Sequence, residues 1–273
     1  MKETITRSLS GLLYVVLLIT CLWFEQSITV LLFVFGLISM NEFLKLIQFK
    51  SKIPYFIFIL IYGFIAYVKH FKVEHIAANE FIRIFIVLTI FVLLFLIRDL
   101  FSRKTIPLFS SKRYLLTTFY ITSGFSFLFL IAHYFKIYNP NILLGSLILV
   151  WVNDTFAYLV GKNFGKQKLF EKISPKKTVE GFLGGLFFAC IASFFIASCT
   201  NTLNSTYWLI LSIIVSVTGT LGDLIESKFK RQAQVKDSGT IMPGHGGLLD
   251  RLDSIIFAAP FIYLFLRILH YVS

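Results

Sequence analysis

The chain has 273 residues, of which 57% are hydrophobic and only 15% charged, and its mean hydropathy is +0.80. An ordinary soluble domain is roughly 45–50% apolar and about 25% charged, so a water-soluble fold of this length could not hide so much apolar surface, whereas a chain dissolved in lipid has no need to. The formal net charge of +12 sits in short loops between apolar runs, which excludes nucleic acid as the expected partner and leaves an anionic membrane surface or a phosphorylated substrate.

Nine apolar runs follow in chain order, near 9–24, 27–44, 54–68, 81–97, 114–134, 142–160, 181–199, 206–225 and 254–271. They recur at about the 20-residue scale of a bilayer-crossing helix, some of them shorter or interrupted by polar residues, and none alternates as a barrel strand would. The expected fold is therefore all-α and polytopic, a single membrane domain over 1–273. Within it, 1–140 supplies N-terminal helices of unassigned role, and 141–273 supplies the catalytic helices and loops. The first run, behind Lys2 and Arg7, imitates a signal peptide, but Phe24-Glu25-Gln26 is a poor cleavage junction, so a retained span is expected. Cys21, Cys190 and Cys199 are odd in number and lack paired metal spacing, so they read as small apolar side chains.

An odd number of spans puts the termini on opposite sides. With the N-terminus inside, every Lys and Arg falls in an inside segment except Lys69, Lys72, Arg83, Lys136 and Arg267. This bias supports both the orientation and the span count. Two inside loops, about 161–180 and 226–253, are long, basic and glycine-containing, and both follow spans that carry acids. Chemistry is expected on this inner, cytoplasmic face.

The second of these loops carries most of the reactive groups. Asp223 and Glu226, three apart, share one face of a helix end, and Asp250 and Asp253 repeat that spacing at the start of the last span. Carboxylates at membrane depth are expensive and are usually paired or functional. Hard oxygens from two helices suit Mg²⁺, which leaves coordination positions for phosphate. Lys228, Lys230, Arg231, Lys236 and Arg251 lie beside these acids. Acids for a metal next to bases for phosphate are the parts of a phosphoryl or nucleotidyl transfer. Between them, Pro243-Gly244-His245-Gly246-Gly247 is a tight connection whose amides can approach an anion. His245 suits phosphate contact, proton transfer or a structural role equally. In the first loop, Ser174 is expected to cap a helix beginning at Pro175, placing Lys176, Lys177 and Thr178 at a helix N-terminus, a phosphate seat. Asn153 and Asp154 lie late in the preceding span, and Asp154 has no basic neighbour in sequence.

The segment Ser227-x-Phe229-Lys230-Arg231-x4-Lys236-Asp237-x-Gly239-x3-Pro243-x-His245-Gly246-Gly247-x2-Asp250-Arg251-x-Asp253 resembles the signature of the phosphatidate cytidylyltransferase family. Met242 stands where the family usually has Leu, Ile or Phe, a swap that conserves bulk. Ser174-Pro175-Lys176-Lys177-Thr178-x-Glu180-Gly181 and Asn153-Asp154 also resemble family motifs, whereas the first half agrees only in being a series of membrane helices. The resemblance implies transfer of a cytidylyl group from CTP to phosphatidic acid, giving CDP-diacylglycerol and pyrophosphate. It also implies Mg²⁺, as one ion or two, and a homodimer. Asp223, Asp250 and Asp253 become the expected metal ligands, and Lys176, Lys177, Lys230, Arg231, Lys236 and Arg251 the expected phosphate contacts. His245 joins the expected catalytic set. Asn153, Asp154, Ser174, Thr178, Asp237, Gly246 and Gly247 join the expected substrate-binding set. The compact chain with short termini points to a bacterial inner membrane. The residues alone reach only metal-assisted phosphate chemistry. A CTP-dependent polyprenol or other lipid kinase, a cytidylyltransferase for another lipid, a transporter with intramembrane acids and a non-catalytic scaffold remain as alternatives.

Overall fold

The structure, a computed structural model, describes residues 2–72, 76–102, 104–135 and 137–272, with the side chains of 2–8 and 270–272 left aside. Arg103, Lys136 and the side chains of Lys2 and Arg7, four of the charges used to orient the chain, lie outside what is described.

The apolar runs become helices because a backbone in lipid must satisfy its own N–H and C=O groups. They are α1 (Lys2–Leu22), α2 (Glu25–Leu46), α3 (Ile53–His70), α4 (Ile76–Phe101), α5 (Ser110–Ala132), α6 (Asn141–Phe164), α7 (Val179–Thr200), α8 (Ser205–Gln232) and α9 (Leu249–Val272). Eight of them, α2 to α9, are long and apolar enough to cross a membrane, and the apolar part of α1, Leu9–Leu22, is shorter. The all-α polytopic expectation holds.

Helix α5 is the centre. Phe125, Phe127, Phe129, Leu130 and Ile131 on it are all fully buried, and a π-helical stretch, Thr117–Thr122, interrupts its α-geometry. Helices α2, α3, α4 and α9 surround it. On the lipid side the sequence stays apolar: Ile84, Val87, Phe91 and Leu94 of α4 and Phe187 and Phe195 of α7 are exposed, as expected where the solvent is hydrocarbon.

The C-terminal half is a second packing unit in which α6, α7 and α8 pack tightly and α9 lies on α8. Glycines set the α6–α7 approach. A Cβ on Gly181 would lie 2.7 Å from the Ala157 carbonyl oxygen, and one on Gly185 would lie 2.6 Å from that of Asn153. Spaced four apart, these glycines let two backbones meet in a medium that offers no hydrophobic drive.

Two expectations about loops are corrected. Ser174 does not cap a helix. Ser174–Thr178 is a strand, β2, paired antiparallel with β1 (Lys168–Phe170) in the register Phe170↔Ser174 and Lys168↔Thr178. Pairing keeps the chain extended until Thr178, whose hydroxyl oxygen accepts from Gly181 N at 3.1 Å and caps α7. Glu180 accepts from Lys166 N and Gln167 N at the base of the hairpin. The second loop also starts later than expected, because α8 runs to Gln232 and carries Ser227 to Arg231 as helix.

Replacing Gly185 by Leu should therefore force α6 and α7 apart and lower the melting temperature in detergent, by a destabilisation of about 1–3 kcal/mol. Gly63, with nothing within 4 Å of its would-be Cβ, is the control, and Gly63→Ala should leave thermal unfolding unchanged.

Candidate active site

The C-terminal end of α8 begins the site. Glu226 is fully buried, with 0% exposure. One turn on, Lys230 places Nζ 2.5 Å from Glu226 Oε2 and 2.7 Å from Asp250 Oδ1 on α9. Asp250 Oδ2 accepts from Ser238 N at 2.9 Å, Ser238 Oγ at 3.0 Å and Gly247 N at 2.7 Å. One lysine thus neutralises acids from two helices, and one of those acids folds the connecting loop around itself. Buried charges survive only when paired and hydrogen-bonded in this way.

Asp223, one turn before Glu226, accepts from Ser227 Oγ at 3.2 Å and has Lys177 Nζ 2.5 Å from its Oδ2. Lys177 comes from β2, so this pair joins the hairpin to α8. Asp253 lies one turn after Asp250 on α9. It is buried, and Ser254 N donates to its Oδ1 at 2.7 Å. Asp154 on α6 is exposed and accepts from Asn153 Nδ2 at 3.3 Å. Asp154, Asp223 and Asp253 are electrostatic neighbours, and Asp253 also faces Glu226. Four carboxyls from three helices therefore converge on one end of the bundle, with Lys177, Lys230 and Arg251 as the cations that bear on them.

The glycine connection is a tight turn. Met242 N donates to Gly246 O and His245 N to Met242 O, both at 2.9 Å. Gly244 and Gly246 adopt φ of 75° and 88°, which only glycine takes without strain. Ser10 of α1 donates its hydroxyl to Pro243 O at 3.0 Å, and its Oγ is hydrogen-bonded to His245 Nδ1, 2.8 Å away. Arg251 donates from Nη2 to His245 O at 3.1 Å. The Gly247 amide, expected to meet an anion, is spent on Asp250.

The remaining cations separate into two groups. Lys228 turns away from the acids and donates to the carbonyls of Asp99 (2.5 Å) and Ser102 (2.8 Å), closing the end of α4. Arg231 donates to Ile173 O and Val235 O, both at 3.3 Å, and ties α8 to the hairpin and to its own loop. Lys176 and Lys236 are exposed at the same end, as is Asp237.

The donor set fits a hard cation. Asp223, Glu226 and Asp253 offer only oxygens, and Glu226 Oε1 is buried without accepting a hydrogen bond. Among the described residues no three His, Cys, Asp or Glu side chains form a closed cage. Mg²⁺ does not need one, because it keeps waters and binds through one or two carboxylates plus substrate phosphates. Asp250, also expected as a ligand, pairs with Lys230 and accepts from Ser238 N, Ser238 Oγ and Gly247 N, and so anchors the loop as well.

Two participants escaped the sequence reading. Ser238 is the hub of the loop, and nothing in its local sequence marks it. Glu42, near the C-terminal end of α2, is buried and reaches the same loop. An acid inside an apolar run is itself a signal, but Glu42 sits in a half of the chain that carries no motif.

The architecture defines an integral membrane protein, and acids and cations from several helices gather at one end of its bundle. The chain belongs to the cytidylyltransferase family, whose profile matches residues 5–269. It is 34% identical over 268 residues to a phosphatidate cytidylyltransferase of Bacillus subtilis (strain 168), covering 96% of this chain and 97% of that one. It is also 48% identical over 126 residues to phosphatidate cytidylyltransferases of Staphylococcus aureus (strain COL) and Staphylococcus haemolyticus (strain JCSC1435), covering 45% of this chain and 48% of each of those.

Replacing Lys230 by Met should leave Glu226 and Asp250 without their shared cation. The expected loss is about 3–5 kcal/mol, read as a fall in melting temperature in detergent. A Lys236→Met control at an exposed position should unfold as the parent does.

Proposed function

We propose that this chain transfers the cytidylyl group of CTP to phosphatidic acid, releasing pyrophosphate and leaving CDP-diacylglycerol in the bilayer. The observation that carries this reading is the Lys177–Asp223 pair, which joins the hairpin motif to the helix whose last turns open the signature segment.

The nucleophile needs little help, because a phosphate monoester is already anionic at neutral pH. Its oxygen attacks the α-phosphorus of CTP. The bond to the β-phosphate oxygen breaks, and the electron pair leaves with pyrophosphate. The barrier is the approach of two polyanions and the charge on the leaving group. Lys177 can exchange Asp223 for a phosphate, and Lys176, Lys236, Arg231 and Arg251 add positive charge around it. Asp223 and Asp253, with Glu226 behind them, would hold Mg²⁺, which supplies electrostatic stabilisation of polyphosphate charge when bound. Lys230 keeps Glu226 and Asp250 in place, Asp250 holds the loop, and Ser10 sets the orientation of His245. The lipid tails stay in the bilayer, since the site lies at the end of the helices.

The basic loops support a cytoplasmic site, where CTP is found, in a bacterial inner membrane. A homodimer belongs to the same reading.

Purified protein with phosphatidic acid, Mg²⁺ and CTP labelled in the α- or γ-phosphate tests the reaction. The α-label should enter lipid and the γ-label should leave as pyrophosphate. Entry of the γ-label into lipid would make this a kinase. Asp253→Asn should abolish turnover with melting temperature retained, and near-parental activity would remove Asp253 from the mechanism. In sealed inverted vesicles, added CTP should be consumed without detergent, whereas right-side-out vesicles should be silent.

A further inference from the structure

The first half of the chain carries no motif, yet one of its side chains holds the loop on which the reactive groups depend. Glu42 lies near the C-terminal end of α2 and is 2% exposed. Its Oε1 accepts from Leu248 N at 3.1 Å, and its Oε2 accepts from Leu249 N at 2.8 Å and Ser238 Oγ at 3.2 Å. Leu248 precedes α9 and Leu249 opens it, so their N–H groups have no partner within that helix. An acid from another helix satisfies them and meets the positive end of the α9 dipole.

Ser238 is shared. Its single hydroxyl proton lies between Glu42 Oε2 and Asp250 Oδ2. Two acids, one from α2 and one from α9, therefore grip the same point of the loop from opposite sides. The neighbouring glycines make room for this grip. A Cβ on Gly239 would collide with Glu42 Oε1, and one on Gly247 would lie 2.7 Å from Glu42 Oε2. Beside Glu42, Phe43 packs edge-on against Phe229 of α8 at 5.3 Å and Tyr120 of α5 at 5.4 Å, which fixes the end of α2 beside the turn that carries Lys230.

We infer that Glu42 is a positioning residue of the transfer reaction, setting the register of the loop and the start of α9 so that Asp250, Asp253 and Lys230 stand where turnover needs them. This role rests on the proposed site. It requires a carboxylate, because two consecutive N–H groups are matched by two acceptor oxygens. A glutamine keeps the volume but turns an NH₂ toward one of those donors.

The test compares kcat, KM for CTP and melting temperature in detergent for the parent, Glu42→Gln, Gly239→Ala and Asp253→Asn. Glu42→Gln should lower kcat about 10- to 100-fold, as loss of a charge-assisted hydrogen bond would, with KM for CTP within about threefold because Glu42 touches no substrate. Gly239→Ala, which pushes on the same carboxylate, should lower kcat likewise, and the double variant should lose less than the product of the two. Glu25→Gln, at the other end of α2, should leave kcat unchanged. Parental kcat in Glu42→Gln, or a lower melting temperature with kcat per folded molecule unchanged, overturns the role of Glu42 while loss of turnover in Asp253→Asn leaves the site standing. Turnover retained in Asp253→Asn overturns the site and the role with it.

Discussion

Carboxyl groups near a bilayer must each find a cation or a set of donors, and the arrangement around Lys230 follows from that constraint. Glu226 and Asp250 come from different helices, and a single ammonium lies within 2.7 Å of both. In a low dielectric such a pairing is strong when complete and expensive when broken. It fixes the rotation of α8 against α9, and the rotation in turn decides where Asp223 and Asp253 point. The site is thus a consequence of neutralising charge in a place where water cannot do it.

The two halves of the molecule divide the work differently from the division suggested by their motifs. Helices α6 to α9 and the hairpin carry the acids and cations of the candidate site. Helices α1 and α2 touch the signature loop through Ser10 and Glu42, and α5 lies behind it, with Tyr120 against Phe257 of α9 at 6.2 Å. Hydrogen bonds from the first half thus hold backbone in the second. Polar loops that must be exposed to substrate cannot be stabilised by burial, and support from a rigid neighbour is the alternative.

Much of this was legible in the sequence because lipid imposes simple rules. Length and hydropathy give the helices. Acids in or beside apolar runs mark the candidate site, and Asp223 and Asp253 are electrostatic neighbours there. The hairpin was not legible: Ser174-Pro175 has the chemistry of a helix start, and only the pairing of Phe170 with Ser174, a tertiary event, overrides it. The partners of Asp250 were hidden for a related reason. Its spacing from Asp253 matches that of a ligand pair, but the donors that occupy it are backbone amides and a serine, which no pattern of side chains announces. Lys228 looked like its neighbours Lys230 and Arg231, yet a helix turns successive residues by about 100°, so it faces α4 instead.

The contact between Glu42 and the start of α9 spans more than 200 residues of chain. Membrane proteins are inserted as they are synthesised, first helix first. Glu42 is therefore delivered to the bilayer long before Leu248, Leu249 and Ser238 exist, and for that interval its donors are missing. Assembly of the reactive end must wait for the last helix to arrive, and an incomplete chain carries a mismatched acid at its membrane border. The same contact that holds the finished loop in place thus closes only once the last helix is present.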